Sequence, residues 1–255
     1  MIHQLGKHKV EMYEDIENMP VVRFHKYNKM LIVEAGIGSD VAAADSHLAK
    51  IAALVRQKDC DKALQEIANM QQCLYFAAES VSPRLLAFSA LVRSIDGDPC
   101  DDLTDDGLTA TAAKLSDVPV AQIAAVFAGV KKKIDEALRL YFPKSFDDAE
   151  VKEYYDCLRS RALCQLEAIQ AGGGDGCIKG EIARLSDAVL TFFAPQPFGG
   201  SEGVEVRHDK GIEYLCLALA QNMHVNAKKM TVMEFYNALE YAREEARKQK
   251  KQTKR

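Results

Sequence analysis

Apolar residues recur every three or four positions along most of the chain, and that spacing predicts a succession of helices. The first runs over 20–34 behind Pro20, carries Val21, Phe24, Tyr27, Leu31 and Ile32, and ends at Gly36. Its run Met30 to Val33 also reads as a short strand. Ser39 or Asp40 caps a second helix with Leu48, Ile51, Ala52 and Val55 on one face. A third, over 61–79, carries Leu64, Ile67, Ala68, Leu74 and Ala78. Ser82 and Pro83 open a fourth, with Leu86, Phe88, Leu91, Val92 and Ile95.

Beyond a turn at 96–107, rich in Asp, Gly and Pro, and a short helix capped by Thr104, Pro119 starts the most periodic stretch. There Val120, Ile123, Phe127, Val130, Ile134 and Leu138 repeat until Phe142-Pro143. Helices follow over 147–170, through Val151, Tyr154, Leu158 and Leu166, and over the segment holding Ile178, Ile182, Leu185, Val189 and Phe192. Three glycines, Gly172 to Gly174, separate the two. Past a Gly/Pro linker, Ile212, Leu215 and Leu219 mark one more helix. Thr231 and Glu234 match a capping box at the start of the last, where Met230 can staple against Phe235. Weak alternation around Val10 and Met12 predicts a short strand within 7–13.

The fold class that follows is mainly α: a multi-helix bundle with a small C-terminal helical module and one short N-terminal β element. The expected organisation is a bundle over 1–193, with an internal boundary near 96–107, a linker at 194–203, a module over 204–246 and a basic tail over 247–255.

Composition narrows the function more by exclusion than by assertion. A 48% hydrophobic content supplies a core, while a net charge of -4 and a pI near 5.9 lack the basic excess of a nucleic-acid binder. Seven cysteines without a Cys-x-x-Cys pair fit a reducing cytoplasm. The N-terminus has no signal-peptide pattern, and no apolar run is long enough to span a membrane.

The turn Gly36-Ile37-Gly38-Ser39-Asp40 is the sharpest chemical candidate, because free N–H groups at a helix start favour an anion. It departs from the dinucleotide fingerprint at Val41 and lacks a Walker lysine, so a structural helix-to-helix turn stands beside a phosphate-binding one. The six aspartates between 96 and 106 miss the EF-hand pattern at Cys100, Asp101 and Gly107. The histidines are scattered without zinc spacing, and no nucleophile elbow surrounds any serine. No catalytic residue, cofactor or metal site is assigned. The aromatic residues of the last helix, Phe235, Tyr236 and Tyr241 with Leu239, are candidates either for a protein partner or for their own domain's core.

Two stretches resemble a known group of proteins. IENMPVVRFHKYNKMLIVEAGIGSD (16–40) resembles the opening of helical tail-region proteins of phages and prophages of gut bacteria. KKMTVMEFYNALEYAREE (228–245) is similar to the end of phage tail assembly chaperones. The resemblance covers under a fifth of the chain and contains no catalytic motif. It implies a cytoplasmic helical protein that escorts the tape measure protein during tail assembly. A tail or head-tail structural protein and an enzyme or sensor that binds a phosphorylated ligand at 36–40 are the alternative readings.

Overall fold

The computed structural model describes residues 1–79, 82–146, 149–173 and 176–252, with the side chains of 149–151 and 249–252 left out. Mainly α architecture is what it shows, and the chain divides into two units, each drawn from separate stretches of sequence. One unit comprises 1–35, 80–146 and 199–255; the other comprises 36–79 and 147–198. This division follows a different line from the predicted linker, since the stretch 204–246 belongs with the N-terminal residues rather than standing apart.

The first unit is built on a four-stranded antiparallel sheet in sequence order: β1 (Ile2–Leu5), β2 (His8–Met12), β3 (Val92–Ile95) and β4 (Asp98–Pro99). Of these four, β2 alone was legible as a strand, inside the predicted 7–13. Residues 92–95 read as the end of a helix because Leu91, Val92 and Ile95 keep helical spacing. In fact α4 (Pro83–Leu91) stops at Leu91, and Val92 adopts extended backbone to pair with Met12. Pairing with β2 outweighs local periodicity here. The turn at 96–107 lies inside this unit and contributes β4, so it marks no boundary between the two units.

Arg23, buried on α1 (Val21–Gly36), makes the abrupt change from α4 to β3 tolerable. Its Nη1 donates to the carbonyls of Ala90 and Val92 at 3.2 and 2.8 Å, and its Nη2 donates to the Cys100 carbonyl and to Asp101. The Ala90 carbonyl is one that a helix end leaves without an intrahelical partner, the other two come from β3 and from the residue after β4, and a guanidinium fork is suited to several at once. The Tyr13 ring stacks 5.3 Å from the guanidinium carbon.

The aspartates of the 96–107 loop have comparable structural tasks. Asp96 accepts from the Lys9 amide and lies 2.6 Å from His8, Asp102 accepts from Thr104, and Asp105 pairs with Lys26. Thr104 caps α5 (Asp105–Ala113) as predicted. Helix α6 (Val120–Tyr141) inserts Ile123, Phe127, Val130, Ile134 and Leu138 into the core, while Val120, at the head of the same stripe, is exposed. The short α7 (Pro143–Phe146) follows Phe142.

The C-terminal helices α10 (Val204–Met223) and α11 (Val232–Gln252) complete this unit. The predicted capping box is present: the Thr231 amide donates to Glu234 at 2.8 Å, and the Glu234 amide donates to the Thr231 hydroxyl. The next amides reach across the chain. Val232 and Met233 donate to the carbonyls of Met19 and Ile16, while Val21 donates to Met230, so the starts of α1 and α11 satisfy each other's free N–H groups.

His25 lies in this junction, 7% exposed, against Phe235 and His208, and its Nε2 has no hydrogen-bond partner. Burial, reinforced by His208, pushes its pKa down to about 4.

Both buried groups should show in the unit's stability. Arg23→Met leaves several buried carbonyls without donors and should lower the first unit's stability by about 3 kcal/mol in urea denaturation. Arg23→Lys should recover only part of it, for want of the fork. Because His25 is neutral when folded while its unfolded form binds a proton below about 6.5, the first unit should lose up to about 3 kcal/mol as pH falls from 6.5 to 4. His25→Phe should flatten that slope.

Candidate docking surface

The second unit consists of four helices: α2 (Val41–Arg56), α3 (Cys60–Glu79), α8 (Ala149–Gln170) and α9 (Gly176–Thr191). Its main packing partners run α3 on α2, α2 on α9 and α9 on α8. The first two helices form a hairpin. Helix α2 ends with Lys58 in the left-handed region, the Lys58 and Asp59 amides turning back to Val55 and Leu54. Asp59 then accepts from the Lys62 amide and opens α3. His47 faces Glu66, and the Asp40 carbonyl faces Cys73, a register that runs antiparallel.

The facing sides of this hairpin are unexpectedly polar. His47, Glu66 and Asn69 are each at most 3% exposed. The Nδ1 of His47 lies 2.7 Å from Glu66 Oε1, and its Nε2 lies 2.7 Å from the Ile37 carbonyl oxygen. A carbonyl can only accept, so Nε2 carries a proton. Glu66 also receives Asn69 and lies 3.6 Å from Lys50, which favours its ionised form, so Nδ1 donates as well. The pair is an imidazolium and a carboxylate. The bond from Glu66 pushes the His47 pKa up against the effect of burial. For Glu66, burial acts to raise the pKa, but His47, Lys50 and Asn69 together hold it below the ordinary carboxylate range.

The same network accounts for the turn Gly36 to Asp40. His47 holds the Ile37 carbonyl, and Ile37 itself is buried. Gly36 is required by packing: a Cβ there would lie 2.0 Å from the Phe198 ring. Gly38 has φ +68°, and Asp40 fills the helix N-cap, its carboxylate accepting from the Ala43 amide at 2.8 Å. The negative end of that cap is supplied by the chain itself. Ser39 lies within the same turn.

With the polar residues inside, the apolar faces predicted on these helices point outward. Leu48 and Val55 on α2 are 53% and 59% exposed, and Leu64 and Leu74 on α3 are 65% and 51% exposed. Val41, Ile67 and Tyr75 extend the two stripes. On each helix the stripe lies roughly 110° around from the His47–Glu66 contact, in the same rotational sense, at about 100° per residue. In an antiparallel pair that places both stripes on one side of the hairpin. Their combined exposed area is roughly 700 Å², above the ~300–600 Å² of the largest apolar patch on a typical monomer.

Charge is also missing from the α3 part of this side. From Ala63 to Ala78 the only ionisable side chains are Glu66, which is buried, Cys73, which is buried, and Tyr75. A helix face in permanent contact with water normally carries Lys, Glu or Arg. By contrast, the large apolar side chains buried in this unit are only Ile37, Leu54, Leu185 and Phe198 among the described residues. Helix α8 shows the same tendency, with Tyr155, Leu163, Leu166 and Ile169 exposed.

The aromatic candidates of α11 divide differently. Phe235 and Leu239 are buried, and Tyr236 packs among Phe24, Phe142 and Phe146, its pKa pushed up to about 12 by burial. Tyr241 alone of the four is exposed, at 57%. Sequence periodicity located these side chains on one helix but could not say which neighbour they meet. The α2–α3 face was visible as a stripe, and the signal for its exposure was the adjacent helix face, His47 and Glu66, whose ion pair needs burial to be strong.

Elsewhere in the first unit, α4, α5 and α6 line an open apolar pocket of about 500 Å³, with Leu86, Phe88, Leu115, Ile123 and Phe127 on its walls and Arg84 among its polar residues. Among the described residues no three His, Cys, Asp or Glu side chains gather as metal ligands, and no helix is long and apolar enough to cross a membrane. No family model matches the chain, and no curated protein or solved structure does.

The His47 half of the buried ion pair predicts a pH response opposite to that of His25. The His47 contribution is complete below its unfolded pKa, about 6.5, and is lost as pH rises through the raised folded value. The Glu66 contribution is complete above its ordinary value and lost as pH falls through the lowered one. NMR-detected urea titrations should therefore show the second unit weakening on alkalinisation while the first weakens on acidification. His47→Gln should cost the second unit about 3 kcal/mol at pH 6 and abolish its alkaline slope.

Proposed function

We propose that the protein works by binding other proteins rather than by catalysis, and that the apolar α2–α3 face is where it binds them. The observation that carries this reading is the exposure of Leu48, Val55, Leu64 and Leu74 on a side whose α3 part, Ala63 to Ala78, presents no charge, behind a buried ion pair that fixes which way each helix faces. Ionic pairs inside and apolar residues outside is a costly arrangement for a free monomer, and it becomes favourable when a partner removes that area from water.

The client suggested by the resemblance of residues 16–40 and 228–245 to phage tail proteins is the tape measure protein, and the role is that of a tail assembly chaperone in the host cytoplasm. A long apolar helical client fits the chemistry of the face: it offers leucine-type side chains at helical spacing and needs no charged contact. The Gly36 to Asp40 turn supports this reading over a phosphate-binding one, because Asp40 already occupies the helix start.

Co-expression with tape measure segments followed by pull-down should recover a complex. The Leu64→Glu/Leu74→Glu double variant should reduce recovery about a hundredfold while its circular dichroism melt stays within a few degrees of the parent. If the folded parent retains no segment, the chaperone assignment fails.

A further inference from the structure

We infer that the α2–α3 face of the free protein is covered by the same face of a second copy, packed about a two-fold axis through Gln71. This rests on the reading of that face as a docking surface and names its occupant when no client is bound.

The face is complementary to itself. In an isologous contact residue i meets residue j while j meets i, so a helix crossing its own copy antiparallel pairs positions at equal distances from the axis. With Gln71 at the centre, Leu64 falls opposite Ala78, Ala68 opposite Leu74, and Ile67 opposite Tyr75. All of these are exposed, and two of the three pairings set a leucine against an alanine. Large against small at facing positions is how two helices interdigitate without voids. Gln71, also exposed, meets its own counterpart, and an amide carries both a donor and an acceptor for that exchange.

Electrostatics agrees. A face with one sign of charge would repel itself, and a face with mixed charge would demand a particular pattern opposite it. This one presents none between Ala63 and Ala78. Area allows it as well: with the α2 and α3 stripes of both copies wholly covered, about 1,400 Å² would leave water, within the ~1,200–2,000 Å² of a stable interface. On α2 the exposed residues Val41, Leu48 and Val55 step by seven, the interval of a coiled-coil seam, beside the α3 contact.

Light scattering after gel filtration of the full chain should give twice the 28.2 kDa of one copy. Leu74→Glu should give the single-chain mass and about a hundredfold weaker self-association, since each new carboxylate would meet an alanine across the axis. Adding Ala68→Lys to that variant should restore the dimer, because the introduced ammonium of one copy then faces the introduced carboxylate of the other on both sides of the two-fold. Gln71→Cys should form a disulfide with its own copy under oxidation that the parent, oxidised in parallel, does not form. A parent of single-chain mass throughout a dilution series overturns the inference, and so does a dimer that survives L74E unchanged. If the parent is monomeric yet still captures a tape measure segment through Leu64 and Leu74, this inference falls and the docking surface stands. If it does neither, both fall.

Discussion

The buried pairing of His47 with Glu66 is the constraint on which the second unit depends. Two ionised groups at the interior of a hairpin are stable only if each is oriented by further partners, here the Ile37 carbonyl, Asn69 and Lys50. Meeting that condition fixes the rotation of α2 and α3 about their own axes. Once rotation is fixed, the leucines and valines that a simple amphipathic hairpin would bury have nowhere to go but outward. The exposed face is thus a consequence of the polar interior.

Arg23 plays the corresponding part in the first unit. By binding carbonyls from the end of α4, from β3 and from the residue after β4, it lets a helix pass into a strand without a loop. Both units therefore place a charged side chain at the point where the backbone or the packing makes its least ordinary move. In each case the charge is neutralised by groups distant in sequence, so that the local arrangement reports on the whole unit being assembled.

How much of this was legible in the sequence depended on whether the deciding interaction was local. Helix starts were legible because their chemistry lies within four residues: Asp40, Ser82, Thr104 and the Thr231–Glu234 box all cap the helices they were read to cap. The α6 stripe was legible because its period is long and uninterrupted. Strand β3 was not, since Val92 to Ile95 is extended only by virtue of β2, eighty residues earlier. Strand β1 was missed for a different reason: its hairpin with β2, closed at Leu5 and His8, is local, but a run as short as Ile2 to Leu5 gives periodicity too little to read. The outward turn of Leu64 and Leu74 was hidden because periodicity reports that a face exists without saying what covers it. The role of Gly36 needed Phe198, a residue in the linker, to become visible.

The way the two units are threaded has a bearing on how the chain is made. The α2–α3 hairpin joins residues within about forty positions of one another, and such short-range structure forms early. The first unit cannot close until Val232 and Met233 reach the carbonyls of Met19 and Ile16. On a ribosome the apolar side of the hairpin is therefore displayed while most of the body is still unsynthesised. A neighbouring nascent copy on the same message would meet it before the rest of the molecule exists, so that the concentration governing its first encounter is set by translation rather than by the cell at large.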